Sequence, residues 1–219
     1  MNDKPRSPST RARATQPAGL LQRLWRLSRG RRLRQVTGNF VWQAFARHSM
    51  VGAVAPSSRR LAHAMALAAR GADLVVELGA GTGAVTAALV EVHGMRPLVA
   101  VEIDARWADR LRRRFPGIDV RCTSADEMLT QMAPPASQVV VLVSSLPFRS
   151  LPPHWHQRTC AAIERFLLAD PRRRLVQYTY QPRAPFETSA ASPLAWRCRR
   201  AVWHNLPPAW VWELGAAPA

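Results

Sequence analysis

The chain changes its pattern twice. Residues 1–19, MNDKPRSPSTRARATQPAG, are polar and proline-containing with no apolar period, which predicts a disordered basic tail. From Leu20 apolar residues return every three or four positions. Leu20, Leu21, Leu24, Trp25 and Leu27 share one helical stripe, with Arg23, Arg26 and Arg29 off it; Gly30 interrupts the pattern, and Val36, Phe40, Val41, Ala44 and Phe45 resume it. Residues 20–61 are therefore expected to form a basic amphipathic helical extension. From Ala62 onward, short apolar runs at 74–78, 98–102, 118–122, 138–144 and 174–180 alternate with helical periods near 83–93, 105–115, 125–132 and 155–168. Strands alternating with helices of this length imply an α/β domain over residues 62–219, its sheet mostly parallel and covered on both faces. The end of the chain breaks the rule. Trp196–His204 and Ala209–Leu214 flank Asn205-Leu206-Pro207-Pro208 with no helix between them, which predicts an antiparallel hairpin at the sheet's edge.

Charge changes this picture more than size does. The 219 residues carry a formal net charge of +17, and every basic residue except Lys4 is an arginine. Residues 1–47 hold eleven basic side chains against one acid, so the excess is concentrated ahead of the domain. Such an excess predicts an anionic partner, either nucleic acid or an acidic membrane face. Trp and Leu on the apolar side of a basic helix suit the membrane. No uncharged apolar run approaches the ~20 residues that span a bilayer, so contact with a membrane would be peripheral and the chain is expected in the cytoplasm. Cys122, Cys160 and Cys198 are far apart and the histidines are not clustered. Neither a disulfide framework nor a metal site is expected.

The chemistry starts at VVELGAGTG, residues 75–83. Gly79, Gly81 and Gly83 follow a buried run and open a helical period, the context in which a glycine loop lets backbone approach a ligand at a helix N-terminus. A dinucleotide loop would read G-x-G-x-x-G; this one reads E-x-G-x-G-x-G. Glu77 would repel a pyrophosphate and better suits a cofactor with an ammonium group, such as the amino-acid end of S-adenosylmethionine. Glu102 ends the second run, nineteen residues after Gly83, where an acid can bind both ribose hydroxyls.

With these residues in view, VVELGAGTGAVTAALV followed by LVAVEIDARWADRLRRRFPG resembles the class I S-adenosylmethionine-dependent methyltransferases. More narrowly, residues 40–214 resemble the bacterial phospholipid N-methyltransferases, relatives of the rRNA adenine dimethylases. The narrower likeness rests on VGAVAPSSRRLAHAMA, SSLPFRSLPP, VQYTYQPRAP and VWHNLPPAWVW. It implies a Rossmann-like fold with a seven-stranded sheet, S-adenosylmethionine as cofactor, and a phosphatidylethanolamine amine or its methylated derivatives as acceptor. Ile103, Ala125 and Ser144, at the same strand ends, complete the expected cofactor set. One segment departs from the family. Where Gly-Asp-Ala would place an acid near the adenine amine, this chain has Thr123-Ser124-Ala125 and then Asp126. Either Ser124 takes that contact or Asp126 reaches it from a shifted register.

The acceptor is read from Ser145-Leu146-Pro147-Phe148. Adenine dimethylases carry Asn-Leu-Pro-Tyr here, the amide holding a planar amine and the ring stacking on a flipped base. Ser145 lacks that amide, which argues against adenine and fits a lipid amine. A methylated amine keeps or regains positive charge, so aromatic faces are expected around it: Phe148, Tyr178, Tyr180 and Trp203. His204 is a candidate proton relay, and Arg59 and Arg149 are candidates for the lipid phosphate. Methylation of a nucleic-acid base is the alternative, supported by the charge and opposed by Ser145.

Overall fold

A computed structural model describes residues 59–94 and 96–217. The tail at 1–19 and the amphipathic stripes between Leu20 and Phe45 lie outside the described residues. Helix α1 (Arg59–Ala68) leads into β1 (Leu74–Leu78), and α2 (Ala84–His93) then connects to β2 (Leu98–Glu102). Helix α3 (Ala105–Arg114) follows, then β3 (Asp119–Cys122), α4 (Ala125–Gln131) and β4 (Val140–Ser144). A single 3₁₀ turn (Phe148–Ser150) and α5 (Pro153–Leu168) lead to β5 (Arg174–Thr179). The chain closes with β6 (Leu194–Val202) and β7 (Ala209–Ala216).

The seven strands form one sheet in the order β3-β2-β1-β4-β5-β7-β6. Strands β1 to β5 are mutually parallel, and β7 pairs antiparallel with both β5 and β6. Every residue of β1 and of β4 is buried. That is why these strands read as continuous apolar runs rather than alternating ones: a parallel sheet is covered on both faces. Alternation still decides which cover each side chain meets. Val75, Val141, Val143 and Val176 pack with Leu61, Met65, Val85 and Leu89 of α1 and α2. Val76, Leu78, Leu142 and Leu175 face Ile163, Phe166 and Leu167 of α5. Leu61 is fully buried, so the core begins just ahead of the boundary expected at 62.

The sheet positions the site through its connections. Strand β1 lies between β2 on one side and β4 on the other, so the chain reverses its direction of travel across the sheet beside β1. In open α/β sheets such a reversal leaves a crevice beyond the carboxyl ends of the strands, where ligands bind.

Candidate active site

A cleft of about 880 Å³, including its open mouth, lies over the carboxyl ends of β1 to β4. Gly79, Gly81, Glu102, Ile103, Ser124, Ala125, Asp126 and Ser145, all expected from the sequence, line it. The glycine loop supplies its floor. Gly79, Gly81 and Gly83 adopt φ of 76°, 53° and 79°, a left-handed region that L side chains enter at a cost. The three differ in what surrounds them. A Cβ on Gly79 would come within 2.7 Å of Leu146 Cδ2, so this glycine admits the acceptor loop. A Cβ on Gly81 would meet nothing within 4 Å. Gly83 is corrected. It does not line the cleft, and its Cβ would fall 2.7 Å from Phe115 and 2.8 Å from Leu111, so close packing of α3 requires it.

Glu102 ties the floor to the wall. Its Oε2 accepts from Gly81 N–H and its Oε1 from Asp104 N–H, both at 2.8 Å. Burial pushes its carboxyl above the ordinary range, while the amides of Asp104 and Gly81 pull the other way. Each carboxylate oxygen retains a lone pair for a ligand hydroxyl. Glu77 sits deeper and does not line the cleft. Its Oε2 accepts a 2.6 Å bond from Thr86 Oγ1 on α2, and its Oε1 has no partner. Burial, reinforced by the Glu102 charge, pushes the Glu77 carboxyl up to about 8 against the Thr86 hydroxyl, which lowers it.

At the start of α4 the two polar candidates have different duties. Ser124 is the N-cap, its hydroxyl accepting from Glu127 N–H at 3.3 Å. Asp126 is buried in the wall. Its Oδ2 pairs with Arg158 at 2.6 Å and its Oδ1 has no partner. Asp126 Oδ1 is thus a buried acceptor without a partner beside the cleft, whereas the Ser124 hydroxyl is engaged in capping α4.

At the other end of the cleft Ser145 donates its N–H to Leu78 O at 3.0 Å, and its buried Oγ has no partner. Ser144 is fully buried and does not line the cleft; its hydroxyl accepts from Leu146 N–H at 3.2 Å and shapes the loop. Gln177, which the sequence reading missed, holds the same loop from β5. Its Nε2 donates to Leu146 O at 3.2 Å and to Tyr178 O at 3.0 Å.

The expected aromatic cage does not assemble. Phe148 is buried against Phe186, with ring centroids 4.7 Å apart, and edge-on to His156, away from the cleft. The 3₁₀ turn after Pro147 rotates its ring into the α5 core. Tyr178 and Tyr180 do share a face, their rings 5.4 Å apart and edge-on. That face is the one covered by α1 and α2, because Tyr178 alternates with Gln177 along β5. Trp203 and His204 lie exposed in the β6–β7 turn, and Arg59 and Arg149 are exposed on α1 and the 3₁₀ turn. None of these seven residues lines the cleft.

The cleft's aromatic walls are instead Trp107 of α3 and Trp155 of α5. Asp104 also faces it and caps α3, accepting from Arg106 N–H at 2.8 Å and Trp107 N–H at 3.4 Å. An Asp immediately before a helical period is a legible cap, and it places the Trp three residues on in the first turn. Nothing local marks Trp155 or Thr159 as facing the same space, since α5 carries apolar residues on more than one side.

No protein-family profile matches the chain. An uncharacterized methyltransferase-like protein of Schizosaccharomyces pombe, C25B8.10, is 38% identical over 53 residues. That stretch is 24% of this chain and 20% of the relative, so the chain aligns with only a fifth of that protein's length. Among solved structures, the Burkholderia thailandensis 1,6-didemethyltoxoflavin-N1-methyltransferase with bound S-adenosylhomocysteine aligns with a TM-score of 0.54 at 16% identity, covering 95% of this chain and 94% of that one. A TehB-like methyltransferase from Corynebacterium glutamicum gives 0.54 at 15% identity, over 84% and 100%. The 23S rRNA methyltransferase ErmE gives 0.51 at 20% identity, over 73% and 68%. Identities this low speak to architecture alone. The chain has the Rossmann-like methyltransferase fold, with a mostly parallel seven-stranded sheet and antiparallel C-terminal strands.

Proposed function

We propose that the chain is an S-adenosylmethionine-dependent N-methyltransferase acting on the amine of phosphatidylethanolamine, or of its mono- and dimethyl derivatives, at a membrane surface. The observation that carries the reading is a cleft with two orphaned buried acceptors, Asp126 Oδ1 and Ser145 Oγ, at either end of a glycine floor tied to Glu102. The methyltransferases of the same fold, one holding S-adenosylhomocysteine, support the cofactor. The residues present fit it. Asp126 Oδ1 suits the adenine amine, Glu102 the ribose hydroxyls, and the space over Gly81 the body of the ligand, while Glu77, buried behind the cleft, supports the floor from below through Thr86.

When bound, the cofactor supplies a methyl carbon made electrophilic by a sulfonium, which leaves as a thioether when an amine lone pair attacks. The protein's part is alignment and exclusion of water. Alkylammonium groups titrate near pH ~10, and an apolar cleft disfavours their charged form, so the amine enters neutral. In phosphatidylethanolamine and its monomethyl derivative, which keep an N–H when neutral, Ser145 Oγ accepts that N–H and directs the lone pair inward; the dimethyl amine has only its lone pair to align. Gln177 holds the Ser145–Pro147 loop in place. Arg149, exposed just beyond that loop, suits the lipid phosphate. The apolar stripes and surrounding arginines of residues 20–47 would dock an acidic bilayer on the cytoplasmic side, so vesicle binding should fall steeply with added salt, since exposed attraction is screened beyond ~8 Å at physiological ionic strength. Binding unchanged by salt would remove those arginines from the docking role.

Adenine methylation is the second reading, favoured by the likeness to ErmE and by the charge of +17. Against it stand Ser145, which offers no amide, and the buried ring of Phe148, which cannot stack on a flipped base. Incubating the full chain with methyl-labelled S-adenosylmethionine and either phosphatidylethanolamine vesicles or total RNA separates the two by which fraction takes up label. Within the cofactor site, Gly81→Trp should reduce binding below detection by calorimetry, because its side chain would stand in open cleft. Glu102→Ala should weaken binding by about 1.5–3 kcal/mol through lost charged hydrogen bonds. Unchanged affinity in both variants would overturn the assignment.

A further inference from the structure

The two most exposed large apolar side chains among the described residues are neighbours in one turn. Trp203 is 67% exposed and Leu206 84%, both between β6 and β7. The turn is built to hold them out. Asn205 between them is buried, its N–H donating to Val202 O at 3.2 Å and its Nδ2 to Pro207 O at 2.6 Å. Trp203 is propped edge-on by half-buried Trp210, with centroids 5.8 Å apart. Exposed aromatic and leucine side chains on an ordered tip are unfavourable in water unless something covers them.

The register places this tip. Thr179, at the end of β5, pairs with Trp210, and Ala209 pairs with Val202, so the turn projects from the edge at which β1, β4 and β5 end. That is the edge bearing the cleft. Strands about 4.8 Å apart put β7 roughly 10 Å from β4 and its acceptor loop. The charge around the tip is predominantly basic. Strands β6 and β7 carry Arg197, Arg199 and Arg200 against Glu213, which is half-buried and already faces Arg174 and Arg199. Exposed Arg149 and Arg183 follow β4 and β5 on the same edge, and Glu187 is the exposed acid of the loop that leads away.

We propose that the β6–β7 tip is a bilayer anchor: Trp203 and Leu206 enter the interface of an anionic membrane while the arginines behind them meet its headgroups, which turns the mouth of the cleft toward the lipid. The chemistry is that of interfacial insertion, with tryptophan at headgroup depth, an aliphatic side chain below it and cations at the surface. The inference rests on the lipid reading above and gives Trp203 a purpose outside the cleft.

The test uses the full chain and vesicles of phosphatidylglycerol and phosphatidylethanolamine. Sedimentation gives the partition of wild type, of Trp203→Asp/Leu206→Asp, and of the conservative Trp203→Phe/Leu206→Ile. The acidic pair should lose about tenfold or more in partition, and the conservative pair should regain most of it. Calorimetry with S-adenosylmethionine and thermal unfolding should be unchanged in both, as should methylation of short-chain phosphatidylethanolamine dispersed in detergent, because the tip does not line the cleft. An acidic pair that binds vesicles as tightly as wild type would overturn the anchor. So would a wild-type chain that ignores vesicles, or one whose acidic pair loses affinity for RNA instead. In those cases methylation of the dispersed lipid reports separately whether the reaction assigned above survives.

Discussion

Gly83→Val should destabilise the fold by about 2–5 kcal/mol, the sum of a left-handed backbone at φ 79° and an overpacked contact with Leu111 and Phe115. Leu111 is almost fully buried and belongs to the small core that joins α3 to β2 and β3, so it has little room to withdraw. Domains are stable by roughly 5–15 kcal/mol in total, and for a chain of this size the loss corresponds to roughly 4–20 °C in Tm. Thermal and urea unfolding measure it. Normal stability with lost cofactor affinity would return Gly83 to the ligand and remove the packing argument.

The stability of the ligand-free protein should fall as pH rises from about 4.5 to about 8, and Glu77→Gln should abolish much of that slope. The folded chain holds the Glu77 proton up to about 8, whereas the unfolded chain releases it near 4.5. Between those values the native state binds more protons than the unfolded one, so each pH unit lowers the unfolding free energy by up to about 1.4 kcal/mol. Over the whole window the contribution is on the order of 3–5 kcal/mol; it is fully present below 4.5 and gone above about 8. Glutamine keeps an acceptor for Thr86 and carries no charge, so the variant should gain on wild type steadily across the window and level off beyond it. Urea denaturation at intervals from pH 5 to 9 would reveal this. Parallel curves for the two proteins would mean that the buried proton is held elsewhere.

The sequence by itself determined what depends on local pattern. Mostly apolar runs located β1, β2 and β4, because strands buried on both faces leave polar residues only toward the ends that reach the cleft. The absence of a helical period between Trp196 and Leu214 exposed the hairpin, and the structure inserts β7 between β5 and β6 as an antiparallel pair. Gly79, Gly81, Glu102 and the Ser124–Asp126 segment were legible as neighbours of one cleft because strand ends and helix starts converge at one edge of such a sheet. Tertiary structure alone decided everything that turns on the direction of a side chain. Phe148 and Ser145 are three residues apart, yet a 3₁₀ turn sends the ring into the α5 core and leaves the serine in the cleft. Tyr178 and Gln177 are adjacent, and strand alternation sends the tyrosine to the α1 face and the glutamine to the acceptor loop. Trp155, on a helix that is apolar on more than one side, became a cleft wall only when α5 docked on the sheet. Periodicity records which residues are buried; only packing specifies against what.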